Sequence, residues 1–153
     1  MAGRQLVIFK VNNENFGIDI NQVNIIVEPM EIFKVPNTPD YVEGLINLRG
    51  KVYTIFNLRK KFSLPVKETD ENTKIIMVKL NTLIVGLIVD EVNEIVTFEE
   101  GDIEKAPPSI TSGNTRKFIS GVAKKSDKIV MVLDMESLLS IEEESQLNSI
   151  SKT

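Results

Sequence analysis

The sequence contains neither cysteine nor histidine. Without cysteine the chain can form no disulfide, has no thiol nucleophile and offers no thiolate to a zinc ion. Without histidine it also lacks the commonest general acid–base group and the other usual zinc ligand. These two absences remove the side chains on which most familiar catalytic and metal sites depend, so we expect no enzymatic activity, no cofactor and no metal site.

Long apolar runs and an excess of basic charge are missing as well. No stretch approaches the ~20 apolar residues that a membrane-spanning helix needs. The formal net charge is −4, the pI is near 5.0, and aromatic residues make up only 6% of the chain. A general nucleic-acid binder would show a basic footprint and aromatic residues for base stacking. We therefore expect a cytoplasmic protein that neither binds nucleic acid nor inserts into the membrane.

What the chain does contain is a hidden duplication. Residues 5–27 align without a gap on residues 74–96 when they are shifted by 69 positions. The identical pairs are Lys10/Lys79, Asn12/Asn81, Gly17/Gly86, Val23/Val92, Asn24/Asn93, Ile26/Ile95 and Val27/Val96. Chance would give roughly one or two identities, so the match indicates an internal repeat.

The alignment resumes later, where residues 44–58 match residues 121–135 at an offset of 77. We place the first unit at about residues 5–62 and the second at about residues 74–141, within a single domain that spans residues 1–153. Each unit is too small to bury an adequate core alone, so the two units should pack intimately. Features that both copies share are candidates for scaffold, and features that only one copy has are candidates for function.

The local pattern predicts strands with little helix. Apolar runs and period-two alternation between turn-forming residues predict a β-hairpin early and another late in each unit. Asn57 and Asp134 precede short helical segments as N-caps, and residues 40–43 fit a capping box with at most one helical turn. The polar residues 63–73 form the predicted connection between the units, and residues 142–153 form a predicted flexible tail. Short strands of this kind are typical of small barrels or sandwiches.

The stretch from Val42 to Phe62 resembles the CheW family of chemotaxis coupling proteins. The residues that carry the resemblance are Pro36-Asn37-Thr38-Pro39, Gly44, Asn47-Leu48-Arg49-Gly50 and Leu58-Arg59, with further similarity at residues 16–20, 85–90 and 118–121. The resemblance covers about residues 5–141. It implies a mainly β fold of two pseudo-symmetric SH3-like five-stranded barrels, with interleaved strands, a shared core and short helices.

The same resemblance implies a function and candidate binding residues. It implies a non-enzymatic adaptor that binds the regulatory domain of the histidine kinase CheA and the cytoplasmic tip of a chemoreceptor, at receptor arrays on the inner face of the membrane. The implied kinase-binding residues are Met30, Ile32, Phe33, Arg49, Lys105 and Ile110, and the implied receptor-binding residues are Val23, Val27 and Arg49. For Met30, Ile32 and Phe33, which lie between two prolines, core packing remains an equal alternative.

Arg49 is the candidate that only one copy of the repeat contains. Its repeat-equivalent is Ser126, which indicates that this kind of hairpin forms without an arginine. Many family members have a glutamate at the position of Ile25 that can pair with the arginine. The sequence therefore predicts that Arg49 lacks this partner and is available for binding.

Several alternatives compete with this interpretation. Another β-barrel interaction module remains possible, a small-barrel nucleic-acid binder is disfavoured by the acidity, and an enzyme that relies on Asp, Glu, Lys or Tyr lacks a concentrated set of such residues. The acidic residues 90–94 and 99–102 lack the spaced oxygen ligands of a calcium loop, so they predict solvated surface. Residues 59–61, two lysines and an arginine, are interpreted as surface charge near a helix end. Gly17, Gly44, Gly86 and Gly121 recur between the copies, which favours a role in backbone geometry.

Overall fold

The computed structural model describes residues 3–105, 118–125 and 127–138. The first unit contains β1 (Arg4–Val11), β2 (Glu14–Asp19), β3 (Val23–Val27), β4 (Val42–Leu48), β5 (Lys51–Asn57) and the short helix α1 (Leu58–Lys61). The second unit contains β6 (Lys74–Leu80), β7 (Leu83–Val89), β8 (Glu91–Phe98), β9 (Ile103–Glu104), β10 (Ile119–Lys125), β11 (Lys128–Leu133) and the short helix α2 (Met135–Leu138). The predicted mainly β fold is confirmed.

Each sheet contains strands of both units. Within the described residues, one sheet has the order β8-β1-β2-β11-β10-β9 and the other has the order β3-β6-β7-β5-β4. The β1–β2 hairpin of the first unit thus lies among strands of the second, and the β6–β7 hairpin of the second lies among strands of the first. The predicted interleaving is confirmed, and the first sheet has a sixth, two-residue strand where five strands were expected.

The core lies between the two sheets and preserves the repeat. A cluster of buried side chains, the shared core, includes four repeat-related pairs: Phe9/Val78, Val11/Leu80, Phe16/Val85 and Ile18/Leu87. Four phenylalanine rings, Phe9, Phe16, Phe62 and Phe118, follow one another at centroid distances of 5.9, 5.3 and 5.8 Å. Because both units contribute to this single apolar layer, neither can bury its own half alone.

Each sheet also packs a smaller cluster on its other face. The cluster of the five-stranded sheet contains the buried residues Ile46, Ile55, Ile75 and Met77, and we call it the Ile46 cluster. The corresponding cluster of the six-stranded sheet is built from Leu6, Ile8, Phe98, Ala123, Val130 and Val132. Strands with apolar residues on both faces read as continuous apolar runs, which explains the unbroken apolar stretches at Leu6–Phe9 and Ile75–Val78.

Gly44 and Gly121 are required by a close approach that the repeat conserves. A Cβ on Gly44 would lie 2.3 Å from the carbonyl oxygen of Phe33, and a Cβ on Gly121 would lie 2.7 Å from that of Glu104. The backbone of Phe33 pairs with Leu45 of β4, and Glu104 of β9 pairs with Val122 of β10. In each unit, therefore, a short backbone segment pairs with a strand so closely that no side chain fits between them.

The capping-box pattern at residues 40–43 produces no helix, and the two predicted N-caps are confirmed. Residues 40–43 form no helical turn, because Val42 begins β4 and its amide donates to the carbonyl of Pro39. The Asn57 side chain accepts from the amide of Lys60, and the Asp134 carboxylate accepts from the amides of Glu136 and Ser137, as N-caps do. Residues 63–73 contain no strand or helix, as expected for a connection.

Candidate protein-interaction site

Identical residues of the two units border the shared core at two edge strands. Val23 on β3 and Val92 on β8 are half-buried and pack against the shared core. Each precedes a β-bulge at an identical asparagine, Asn24 or Asn93, where the register shifts by one residue. A bulge re-aims the side chains around it. The retained asparagines therefore give both valines the same orientation.

Two exposed isoleucines extend this surface. Ile26 is 39% exposed and Ile95 is 55% exposed. Ile26 pairs directly with Ile76 of the shared core, and Ile95 pairs with Val7, which lies on the same face of β1 as Phe9. Directly paired residues place their side chains on one face of a sheet, so both isoleucines lie on the shared-core side. We call Val23, Ile26, Val92 and Ile95 the core rim.

The segment that contains Met30, Ile32 and Phe33 lies along the edge of β4. Met30 and Ile32 are half-buried against the Ile46 cluster, whereas Phe33 is 53% exposed. Two backbone hydrogen bonds of 2.8 Å, between Phe33 and Leu45 in both directions, attach the segment to β4. Core packing therefore accounts for Met30 and Ile32 in part, while Phe33 presents its ring to solvent. We call these three residues the edge patch.

Arg49 occupies the tip of the hairpin between β4 and β5. Its φ is 55° and that of Gly50 is 84°, so two successive residues adopt the left-handed conformation of a tight hairpin turn. The amide of Gly50 donates to the side-chain oxygen of Asn47 at 3.0 Å. Arg49 is exposed, and no described residue forms a hydrogen bond or ion pair with its guanidinium. Position 126, its repeat-equivalent, lies outside the described residues.

In many members of the family that the sequence resembles, a glutamate at the position of Ile25 can pair with the arginine at position 49. In this chain a comparable ion pair occurs in the second unit instead. Ile25 packs against the Ile46 cluster and cannot pair with a cation. Its repeat-equivalent Glu94, on β8, forms an ion pair with Lys128 at the start of β11. The lysine equivalent to Lys128 in the first unit is Lys51, beside Arg49. The edge strand β8 is thus joined to the β10–β11 hairpin by an ion pair, whereas the edge strand β3 packs against the β4–β5 hairpin through apolar contacts.

The structure brings some candidate residues together and separates others. Val27 packs with Met30 and Ile32 on the Ile46 cluster, so it lies on the opposite face of β3 from Val23. Lys105 is exposed and follows β9 at the edge of the six-stranded sheet, away from the edge patch. Ile110 lies outside the described residues. The kinase-binding candidates therefore divide between two sheets, and the receptor-binding valines divide between two faces.

Sequence reasoning missed an ion pair that joins the units. Arg59 of α1 donates from Nε to Oδ1 of Asp90 at 3.0 Å and from Nη2 to Oδ2 at 2.7 Å, and both side chains are more than four-fifths buried. Its Nη1 donates to the carbonyl of Pro65 in the connection, and Oδ2 of Asp90 also accepts from the amide of Asn12. Arg59 was visible only as part of a basic run, because its partner is 31 residues away.

Solvation and hydrogen bonding act in opposite directions on this carboxylate. Burial alone favours the neutral form of Asp90 and raises its pKa, but the hydrogen bonds from Arg59 and from the Asn12 amide stabilise the anion. The net result is a pKa of Asp90 below the ordinary value. Hydrogen bonding to Asp90 likewise holds the pKa of Arg59 above the ordinary value. The pair is therefore ionised throughout the neutral range.

The other two cations of the basic run are also engaged, so the interpretation of residues 59–61 as plain surface charge was wrong. Lys60 forms an ion pair of 2.9 Å with Glu43, which also accepts from the side chain of Asn57. Lys61 is only 8% exposed, and its Nζ lies 3.8 Å from the centroid of the Tyr41 ring. The three cations of this short helix contact Asp90, Glu43 and Tyr41, so α1 joins segments that are far apart in the chain.

Within the described ranges, no group of acidic side chains is arranged to hold a metal ion. The same part of the chain contains no helix that is long and apolar enough to cross a membrane. The candidate site consists of two apolar surfaces, the core rim and the edge patch, together with the exposed Arg49.

The chain is similar to known proteins along nearly its whole length. Residues 5–143 match the CheW-like domain family. The chain is 32% identical over 152 residues to the chemotaxis protein CheW of Klebsiella aerogenes, covering 99% of this chain and 91% of that protein. It is 33% identical over 138 residues to CheW of Bacillus subtilis, covering 90% and 88%.

A solved structure is similar along nearly its whole length. It is the scaffolding protein TtCheW of Thermoanaerobacter tengcongensis, with a TM-score of 0.84, 34% identity, and coverage of 92% of this chain and 95% of that one. The two matching CheW relatives are chemotaxis proteins, and the protein of the solved structure is a scaffolding protein. The chain therefore belongs to the CheW-like family of chemotaxis scaffolding proteins and is not an enzyme.

Proposed function

We propose that this chain is an adaptor that couples the cytoplasmic tip of a chemoreceptor to the regulatory domain of the histidine kinase CheA. One geometric observation carries the proposal: a nearly symmetric pair of units presents apolar side chains to solvent at two separate places, the core rim and the edge patch. A protein that holds two partners at once needs two such surfaces. Through both contacts the adaptor is located at receptor arrays on the inner face of the membrane.

The core rim is suited to a helical partner. Val23 and Val92 border the shared core from the two sheets, and Ile26 and Ile95 add exposed apolar area beside them. An amphipathic helix can bury its apolar stripe against exposed apolar side chains of this kind. The family resemblance implies that the receptor tip is a coiled coil, so we assign its contact to the core rim. Val27, which lies on the other face of β3, is not included in this contact.

The edge patch and Arg49 are suited to a globular partner. Phe33 is an exposed aromatic ring on a segment that two backbone hydrogen bonds attach to β4. Aromatic residues and arginine dominate the energetics of protein interfaces. Arg49 is available to bind a partner's carboxylate or carbonyl groups in a bidentate manner. We assign both to the kinase regulatory domain, and we assign Lys105 and Ile110 to a second, smaller contact with the kinase.

Two matched pairs of substitutions test the assignments separately. Ile95→Ser should weaken binding of a receptor-tip hairpin by about tenfold, whereas Val66→Ser should not, although Val66 is 69% exposed in the connection. Phe33→Ala should weaken binding of the kinase regulatory domain by a similar factor, and Ile129→Ala, at 60% exposed, should not. Isothermal titration with each purified partner measures the affinities. Unchanged binding in both Ile95→Ser and Phe33→Ala would refute the proposal.

The same titrations decide the partner of Arg49. If Arg49→Ala weakens only kinase binding, the arginine belongs to the edge patch. If it weakens only receptor-tip binding, the arginine belongs to the receptor contact and our assignment is wrong.

A further inference from the structure

The two corners that lead into the core rim are built differently. In the second unit, Asp90 lies between β7 and β8, two residues before Val92. Its repeat-equivalent in the first unit is Asn21, two residues before Val23, which lies in a 3-10 turn over Ile20–Gln22. The molecule is otherwise closely symmetric here, with the same bulge and the same valine on both sides. One difference between the two corners is a largely buried ionised side chain, Asp90, together with its partner.

That partner is likewise present in one unit only. The repeat-equivalent of Arg59 is Glu136, so both members of the ion pair are replaced at the symmetric position by residues that cannot form it. The first corner depends instead on Asp19, which accepts from the amide of Asn21 and contacts Arg4 at 3.4 Å. The Arg4 side chain is 46% exposed, so this ion pair is worth little. Among the described residues, only the Val92 side of the core rim is tied to the other unit by a largely buried ion pair.

The Asp90 carboxylate fixes the position of its corner through several bonds at once. It accepts two hydrogen bonds from Arg59 and one from the amide of Asn12, and the Asp90 amide donates to the carbonyl of Lys10 at 2.9 Å. A planar guanidinium that bonds both carboxylate oxygens restrains orientation as well as distance. The direction in which β8 leaves this corner is thereby set relative to α1 and to the β1–β2 turn.

We propose that Arg59, acting through Asp90, is a positioning residue that holds the Val92 side of the core rim in the conformation that binds the receptor tip. The inference rests on the receptor-binding role proposed for the core rim. Arg59 itself is more than four-fifths buried and lies on α1, so it does not contact the receptor helix. The Val92 side is the preformed half of the core rim, and it fixes the position at which the receptor helix binds.

The full-length protein, a receptor-tip hairpin fragment and the kinase regulatory domain suffice for a test. Arg59→Ala and the nearly isosteric Asp90→Asn should each weaken tip binding by about tenfold, and should leave kinase binding within about twofold. In protein with labelled valine methyl groups, NMR should show Val92 shifted and Val23 unchanged. The exchanged pair Arg59→Asp with Asp90→Arg should recover most of the lost affinity, and Arg59→Lys should recover less because lysine lacks the planar fork.

Arg4→Ala is the matched control, since it removes the exposed ion pair at the symmetric corner. It should change neither affinity. Val92→Ala separates the two proposals: if it leaves tip binding unchanged, the receptor-binding role of the core rim is wrong. If Val92→Ala weakens tip binding and Asp90→Asn does not, the positioning role is wrong while the core rim stands. Equal losses of tip and kinase binding in Asp90→Asn, with no Val92-specific shift, would also overturn it.

Discussion

Replacing Gly44 by alanine should separate the edge patch from the strand that carries it. The φ of Gly44 is +146°, a conformation that residues with a Cβ rarely adopt, and the added Cβ would lie 2.3 Å from the carbonyl oxygen of Phe33. That oxygen belongs to the protein backbone and accepts a hydrogen bond from Leu45, so it cannot move without loss of the contact. The segment with Met30 and Ile32 must move away from β4.

The expected magnitude follows from two contributions. The two hydrogen bonds between Phe33 and Leu45 are worth about 1 kcal/mol each, hence about 2 kcal/mol together. The strained φ adds about 1 kcal/mol or more, as disfavoured backbone conformations do. Gly44→Ala should therefore lower the free energy of unfolding by about 3 kcal/mol, which urea denaturation followed by circular dichroism measures. It should also weaken kinase binding, because Phe33 moves with the segment.

Substitutions at Gly50 and Gly101 separate the cost of the strained φ from the cost of the close contact. Gly50 has a φ of +84° but nothing within 4 Å of an added Cβ, so Gly50→Ala should cost only the strain, about 1 kcal/mol. An added Cβ on Gly101 also meets nothing within 4 Å, and Gly101 lacks a positive φ, so Gly101→Ala should be neutral or stabilise by up to about 1 kcal/mol. A Gly44→Ala protein as stable as Gly50→Ala would show that the close approach to Phe33 is not rigid, and the reasoning would fail.

Four further outcomes are expected. Arg49→Ala should stay within about 0.5 kcal/mol of the parent in thermal unfolding, since its guanidinium has no partner among the described residues, and a larger loss would make it a scaffold residue. Phe62→Ala should cost about 3 to 5 kcal/mol in urea, because a buried ring between two others is removed, and a loss below 1 would contradict that packing. Asp90→Asn should flatten the loss of stability with acid: the pKa of Asp90 is lowered on folding, so its contribution is present above about pH 4 and disappears as the pH falls through the folded pKa, and an unchanged acid slope in urea titrations would contradict this. Residues 1–68 and 69–153, expressed separately, should each give poorly dispersed NMR spectra, because each would lack the strands between which its first hairpin lies, and a well-dispersed spectrum from either would refute this dependence.

Sequence similarity between distant segments was the strongest predictor of the fold. Both units retain Gly44/Gly121 because another backbone segment lies too close for a side chain at these positions. Both units retain Asn24/Asn93 because each asparagine lies at a β-bulge. The short-range signals performed well where the interaction itself is short-range, as in the N-caps of α1 and α2. They failed at residues 40–43, where the capping-box pattern was present but the segment joined a sheet.

The candidate site was predicted less completely than the fold. The exposed position of Arg49 could be predicted, because the comparison of the two copies singled it out, and its binding role stays a prediction. The partner of Arg59 could not, since nothing local indicates which carboxylate 31 residues away will approach a cation. Nor could the separation of Val23 from Val27, because a one-residue bulge exchanges the faces of a strand without a distinctive pattern in the sequence.

By itself the sequence determined that this protein is a duplicated, mainly β chain with no cysteine or histidine chemistry, because composition and repeated local patterns are properties of the chain alone. Only the tertiary structure decided which hairpin enters which sheet, which valines share a face and which charges meet. Those outcomes depend on the burial of one apolar layer between two interleaved units. Such burial is a property of contacts between residues far apart in the chain, which no local pattern encodes.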